Sequence, residues 1–389
     1  MDHHAKPRIL VFCPFYVPGW KAGGPVRSIA GLVASLGDEF DFFIICADRD
    51  PGDKRPYAGI RSHNWNAVGK AQVYYLRPYS TWLELRRSVI HVQCNAYYIN
   101  GLLYRRLSIE PMLLRWAGVL PRLPVALAPR GELGAGALSQ KPLKKSFFTR
   151  TLVRSRVYED VIWQASSDEE LADIARSFPS ATVRVAGNLA SLPEFPEWYR
   201  KKDVGSARFL SVARIDRMKN LIFAMRILDD LGSDVSLDII GPTTDAGYLE
   251  ECKLAASKLK HVRVQFLGEL TPDAVHRKLA DYHALILPTL GENFGHAILE
   301  ALCAGCLVLI SNRTPWRDLV QLKVGWDISL DDQNGWRSAA RSIVTMGERE
   351  FGEWSRRARL AGTARRNDQA VIDSNRQLLS ELVSSACGS

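Results

Sequence analysis

Short, continuously apolar runs alternate with amphipathic stretches along nearly all of this 389-residue chain, and that alternation limits the folds open to it. In the first half, strands are expected at 9–14, 42–46, 73–76, 89–93, 125–128, 161–165 and 183–185. In the second half they are expected at 209–213, 237–240, 262–266, 284–287 and 307–310. Helical stretches fall between most of them. A strand that is apolar throughout is buried on both faces, so repeated strand–helix alternation points to parallel sheets covered by helices on each side. The chain is too long for one ordinary core and suits two domains of about 150–200 residues. Two prolines in Ser191-Leu-Pro-Glu-Phe-Pro-Glu-Trp198, followed by polar Arg200-Lys-Lys-Asp203, mark the seam. The expected division is a first doubly wound domain over 1–190, a linker over 191–205 and a second doubly wound domain over 206–365. A terminal helix in 366–389 is expected to cross back onto the first domain.

Composition narrows the function classes. Hydrophobic residues make up 47% and charged residues 24%, ordinary for a globular protein. The net charge is +9, and eleven Lys or Arg against two acids fall between Arg105 and Arg156. Such a stretch forms either solvated helix faces or a surface for anionic lipid or a polyphosphate ligand. Nucleic acid is not an expected partner, because no helix-turn-helix, zinc-finger or aromatic-basic signature accompanies the charge. No apolar run reaches the roughly 18–20 residues of a bilayer span, and the start of the chain lacks signal-peptide features. A cytoplasmic protein is therefore expected, with the inner membrane face as a peripheral docking site. The seven cysteines are scattered, and the Cys303-x-x-Cys306 pair has no second pair to complete a zinc site.

Candidate functional residues cluster where strands are expected to end, which is where open α/β sheets bind ligands. After the first strand, Gly23-Gly24 opens a helix and would let backbone N–H groups approach a phosphate. The spacing is not that of a G-x-G-x-x-G dinucleotide fingerprint. In the second half, Phe209-Leu-Ser-Val-Ala-Arg214 is followed by Lys219-Asn220. This places a planar cation and a flexible one over one loop, with Asn220 as an expected helix cap. The most informative segment is Leu287-Pro-Thr-Leu-Gly-Glu292-Asn-Phe-Gly-His296-Ala-Ile-Leu-Glu300, which runs on to Gly305. A helix is expected from about Phe294 to Gly305, with Glu292 at its mouth and Glu300 inside an otherwise apolar helix. A buried carboxylate is costly unless partnered, so Glu300 either faces a cleft or has a structural partner. His296 lies on the same helical face as Glu300.

This segment resembles the E-x7-E motif of the retaining glycosyltransferases of family 4, the glycosyl transferases of group 1 with the GT-B fold. Arg214 with Lys219 resembles the family's diphosphate site, and Phe266-Leu-Gly268-Glu resembles the turn near its nucleotide base. Gly23-Gly24 resembles its N-terminal glycine loop. The resemblance implies two Rossmann-like domains facing each other across a cleft that closes on substrate. It implies that Arg214 and Lys219 neutralise the departing diphosphate and that Glu300 holds the ribose hydroxyls. Glu292 would bond the donor sugar, which the backbone of Asn293, Phe294 and Gly295 helps to position. Gly23, Gly24, Gly268, His296 and Arg130 complete the implied donor site. Arg130, in Ala128-Pro-Arg-Gly131, stands where many members carry a sugar-contacting His. Ile90-His91-Val-Gln93 resembles the family's His-x-His strand end without its second His, and His91 reads as structural.

The implied reaction retains anomeric configuration and uses no metal or other cofactor, since no D-x-D-like pair sits beside the phosphate residues. The partners are a nucleotide sugar and a glycan or lipid-linked acceptor in cell-surface polysaccharide assembly (exopolysaccharide, lipopolysaccharide or capsule). A UDP-sugar epimerase of the same fold and a non-catalytic sugar- or lipid-binding homologue are the competing readings. A GT-B phosphorylase would need a pyridoxal lysine that the sequence does not show.

Overall fold

The computed structural model describes residues 6–134, 156–232 and 234–387. The chain forms two compact units, Met1–Ser191 with Asp368–Ser389, and Leu192–Asn367. Each is a parallel α/β sheet of Rossmann-like type.

Among the described residues the first unit has eight strands: β1 (Arg8–Phe12), β2 (Asp41–Ala47), β3 (Trp65–Val68), β4 (Ala71–Leu76), β5 (Ala96–Asn100), β6 (Val125–Ala128), β7 (Val161–Ala165) and β8 (Thr182–Val185). They lie in the order β3-β4-β2-β1-β5-β6-β7-β8, parallel except for the β3–β4 pair. Strand order reverses direction between β1 and β5. Helix α1 (Gly24–Leu36) packs on one face through Ile29, Leu32 and Leu36. Helices α2 (Trp82–Ile90) and α3 (Glu110–Trp116) cover the other face, with α4 (Asp168–Ser177).

One expected strand is corrected. Residues 89–93 are the end of α2 and the turn after it, and the strand lies at β5. Thr81 starts α2 with a reciprocal cap: its side chain accepts from Glu84 N–H while Glu84 accepts from Thr81 N–H. That box, together with Leu85, Ser88 and Val89 buried at helical spacing, outweighs the β-branched run at its end. His91 is consequently an exposed helix-end residue and not a strand-end ligand.

The second unit has six parallel strands: β9 (Ser206–Val212), β10 (Asp234–Ile240), β11 (Val262–Gly268), β12 (Ala284–Leu287), β13 (Leu307–Ser311) and β14 (Gly325–Ile328). Their order is β11-β10-β9-β12-β13-β14, so direction reverses between β9 and β12. The helices that matter below are α5 (Leu221–Asp229), α6 (Ala246–Ala256), α7 (Pro272–Lys278), α8 (His296–Cys303), α9 (Leu319–Leu322), α10 (Gln333–Thr345) and α11 (Glu348–Arg366). In α8, Ile298, Ala301 and Leu302 enter the core, each large side chain adding roughly 1.5–3 kcal/mol over exposure.

Arg200 and Lys202, read in the sequence as polar connector, are buried in this second unit. The Arg200 guanidinium donates to the carbonyls of Leu279 and Ala304 at 3.0 and 2.5 Å. Lys202 donates to those of Val344 and Met346, both at 3.0 Å. These carbonyls lie at or just beyond helix C-termini, where the last C=O groups lack helical partners and the helix dipole favours a cation.

His283, also buried, carries a pH dependence. Its Nδ1 accepts the Arg208 backbone N–H at 3.0 Å, and its Nε2 lies 3.0 Å from the Lys201 carbonyl, to which it donates. Both ring nitrogens are therefore satisfied by the neutral form. Burial pushes the imidazole down to about 4. As pH falls below about 6.5, the unfolded chain takes up a proton that the folded one refuses. The contribution is thus complete above that pH and is lost as pH approaches 4, a total on the order of 3 kcal/mol. Urea unfolding at about pH 7.5 and about pH 5 should show a smaller pH loss in His283→Asn than in wild type; equal losses would remove the assignment.

The terminal helix α12 (Gln369–Cys387) packs on the first unit, with Leu378, Leu379 and Leu382 in the core beside α1. Polar contacts join it there. Gln164 of β7 donates to the Ala186 carbonyl at 2.7 Å and to Asn375 Oδ1 at 3.2 Å, and Asn375 donates to the Gly187 carbonyl at 2.9 Å.

Candidate functional site

Ligands of open parallel sheets sit beyond the strand C-termini where strand order reverses. In the second unit that place lies between β9 and β12. The loop after β9 carries Arg214, then a 3₁₀ turn at Arg217–Lys219 that leads into α5. The loop after β12 carries Thr289 to Gly295 and leads into α8. Backbone and hydroxyl contacts fasten the two loops together. Leu290 N–H donates to the Met218 carbonyl at 2.8 Å, and the buried Thr289 hydroxyl lies 3.0 Å from the same oxygen.

That fastening brings Lys219 and Glu292 into contact. Nζ of Lys219 donates to Oε2 of Glu292 at 2.7 Å, with the side chains only 12% and 23% exposed. Burial works to raise the Glu292 carboxyl. The Lys219 ammonium overrides it, with His296 and Arg214 adding attraction, and holds the group below the ordinary carboxylate range. Arg214 is half exposed, with Nη2 3.6 Å from Asp216 Oδ2. Two cations, each facing a carboxylate, thus share the mouth of the reversal point.

Beside them, the loop Glu292–Gly295 is braced from below. Glu292 N–H donates to the Arg313 carbonyl at 3.0 Å. The Trp316 indole N–H donates to the Phe294 carbonyl at 2.7 Å. Gly295 has a positive φ of 82°, and a Cβ there would lie 2.7 Å from Ile298 Cδ1, so both conformation and space require glycine. Helix α8 begins at His296, two residues later than the sequence suggested. His296 is nearly buried and meets the Phe294 ring edge-on at 4.7 Å.

Glu300 is 1% exposed. Its Oε1 lies 3.6 Å from Nε2 of His276 on α7, whose ring is edge-on to Phe195. The structural-partner reading of this carboxylate therefore holds alongside any ligand role. Gly268 closes β11 with a carbonyl that accepts from Gly241 N–H at 2.9 Å. Asn220 occupies the start of α5 as expected but does not cap it with its side chain. It is left-handed, with φ 52°, because the 3₁₀ turn before it has to bend into the helix. Cys303 and Cys306 are both buried, and Cys306 Sγ donates to the Leu279 and Tyr282 carbonyls. Among the described residues no group of three His, Cys, Asp or Glu side chains is arranged to hold a metal ion.

In the first unit the reversal lies between β1 and β5. Gly23, at φ 71°, is the residue before α1, and Gly24 is its first residue. Arg130 follows β6 in a left-handed conformation, φ 56°. Its guanidinium is engaged on three sides: Nε donates to Asn100 Oδ1 and Nη2 to the Tyr98 hydroxyl, both at 2.7 Å, and Nη1 donates to Asn188 Oδ1. Asn100 in turn donates to the Pro25 carbonyl at 3.2 Å. The glycine turn and Arg130 are thus joined through Asn100, a residue that sequence reasoning missed because it placed the strand upstream. The apolar run Ala96-Tyr-Tyr-Ile-Asn100 is the signal that would have found it. Trp316 was also missed, since it lies in a loop with no periodic pattern.

A family model described as glycosyl transferases group 1 matches residues 196–362. No curated protein matches the chain. Among solved structures, sucrose-phosphate synthase from Thermosynechococcus elongatus aligns at a TM-score of 0.68 and 15% identity, over 98% of this chain and 100% of that one. HepE from Anabaena, solved with UDP and glucose, aligns at 0.68 and 14%, over 97% and 100%. WaaG, a glycosyltransferase involved in lipopolysaccharide biosynthesis, aligns at 0.62 and 11%, over 96% and 99%. At these identities the structures establish a shared fold.

Proposed function

We propose that this chain, a glycosyltransferase of GT-B fold whose residues 196–362 carry the group 1 domain, moves a sugar with retention from a nucleoside-diphosphate donor to a glycan or lipid-linked saccharide. The acceptor belongs to cell-surface polysaccharide assembly, and the enzyme works from the cytoplasmic side, peripheral to the membrane. The observation that carries the reading is the Lys219–Glu292 pair beside Arg214 at the reversal point of the second sheet.

The chemistry follows from charge. Breaking the sugar–phosphate bond leaves a diphosphate and an electron-poor sugar carbon, so preorganised cations at the leaving group supply the main stabilisation. Arg214 offers a planar fork and Lys219 a mobile point charge. Glu292, kept ionised by Lys219, accepts from a donor-sugar hydroxyl. The braced N–H groups of Asn293 to Gly295 fix the sugar without needing to reorganise, and His296 and Gly268 line the donor. On the front face, the acceptor hydroxyl adds to the anomeric carbon as the phosphate leaves, and the departing phosphate oxygen takes its proton. No step calls for a metal. Glu300 holds the ribose, which requires the side chains over it, His276 among them, to give way when nucleotide enters.

The test is a thermal-shift panel of UDP, GDP, ADP and their sugar conjugates, with and without chelator. A ligand at about 100 times its dissociation constant stabilises by roughly 2.7 kcal/mol. A base-selective rise that survives chelator supports the reading and names the donor base. A panel without any shift sinks it. Epimerised nucleotide sugar appearing without acceptor would replace transfer by epimerisation.

A further inference from the structure

Seven of the fifteen exposed large apolar side chains among the described residues fall between residues 79 and 116, on one side of the first unit. Helices α2 and α3 lie against the same sheet face, where Leu85, Val89 and Met112 share one core. Their outer surfaces are therefore neighbours. On α2, Trp82, Arg86 and Ile90 follow at four-residue spacing and all face solvent, with Leu83 and Arg87 one position on. On α3, Leu113 and Trp116 are likewise exposed, Trp116 by 51%.

Hydrogen bonds join these pieces into one surface. Arg86 Nε donates to the Val119 carbonyl just beyond α3 at 3.2 Å, and Arg122 Nη2 donates to that of Trp116 at 3.1 Å. Arg106 donates to the Pro78 carbonyl ahead of α2 at 2.7 Å. The acids nearby are occupied or set back. Glu84 caps α2, Glu110 is half-buried, and Asp160 is held by Arg115 at 2.5 Å. Arginines interleaved with half-exposed tryptophans and aliphatic tips thus dominate the surface.

We infer that the outer faces of α2 and α3 dock this protein on an anionic lipid bilayer. A contiguous apolar patch ringed by polar groups marks an interaction surface. Its chemistry selects the partner. Tryptophan rings seat at the headgroup level, leucine and isoleucine tips reach the acyl boundary, and arginines meet lipid phosphates. Exposed cations with few free acids match a negatively charged leaflet better than a second copy of this basic chain, which would repel it. The inference deepens the lipid-linked-acceptor reading and rests on it for the presence of a membrane at the reaction.

Co-sedimentation of the full chain with phosphatidylglycerol–phosphatidylcholine vesicles tests it, against phosphatidylcholine alone and at raised salt. Wild type should pellet with the anionic vesicles and release as salt rises. Arg86→Glu/Arg87→Glu and Trp82→Ser/Trp116→Ser should each lose about tenfold or more in partitioning, while keeping the nucleotide-induced thermal shift. Wild type left in the supernatant overturns the inference, as does unchanged binding by either double variant. A salt-resistant dimer that the tryptophan variant dissociates would assign the surface to a second copy and overturn it too. Failure of the transferase reading would appear separately, as a missing nucleotide shift with vesicle binding intact.

Discussion

Replacing Lys219 with alanine is expected to lower kcat about 10²–10³-fold, the range seen when one preorganised donor to a developing negative charge is removed. The argument rests on placement. Lys219 is drawn to within 2.7 Å of Glu292 by loops that are fastened to each other, so its ammonium needs little rearrangement to meet a diphosphate. Removing it also withdraws the largest force keeping Glu292 ionised against burial. Lys219→Arg should recover only part of the rate, because a planar fork does not reproduce a point charge. The melting temperature should move little, since Glu292 retains 23% exposure and can be hydrated. The measurement is initial rate of nucleoside-diphosphate release beside a melting curve. A wild-type rate would remove Lys219 from the chemistry, and lost rate with lost folding would make it structural.

Glu300→Ala should cut the nucleotide-induced thermal shift by half or more while barely changing the ligand-free melting temperature. A hydrogen bond to a charged group is worth about 1.5–3 kcal/mol, so one ribose contact predicts roughly a 10- to 150-fold loss of affinity. Ligand-free stability should hold because the cost of desolvating a buried carboxylate offsets much of what its contacts, the His276 imidazole at 3.6 Å among them, contribute. Glu300→Gln, which keeps the volume and one acceptor, should fall between. Should Glu300→Ala bind UDP like wild type and unfold several degrees earlier, the carboxylate would be a structural partner of His276 alone.

Much of the fold could be read from the chain because buried parallel strands are apolar along their whole length. Strands β6, β7 and β12 fall at the expected residues, and others differ only at their ends. The failures have physical causes. Strand β14, Gly325-Trp-Asp-Ile328, is an edge strand mixing Gly and Asp with apolar residues and gives no run. Strand β5 was displaced by a helix end rich in Val and Ile. In the second unit, Glu292 and Glu300 stood out as carboxylates against an apolar background, and Arg214 and Lys219 as cations right after a strand. What no spacing could show was which groups pair. Lys219 reaches Glu292 across 73 residues of sequence, and the Glu300–His276 contact depends on how α7 lies beside α8. Arg130 looked like a ligand-facing cation, yet its guanidinium is held by Tyr98 and Asn100 of β5 and by Asn188 beyond β8, segments far apart in the sequence. Of the basic stretch from Arg105 to Arg156, the part at 135–155 lies outside the described residues.

Helix α12 sets an order of maturation. Residues 192–367 supply everything the second unit's core contains, whereas the first unit's core needs Leu378, Leu379 and Leu382, and its Gln164 needs Asn375. On the ribosome the usual sequence is N-terminal domain first. Here the half that emerges first must wait, its sheet uncovered along the groove beside α1, until residues 369–387 have also left the exit tunnel. The half synthesised second is the one able to finish early. A nascent chain ending at about residue 368 would therefore carry a completed second unit tethered to an open first one, a species for chaperones and proteases to sort.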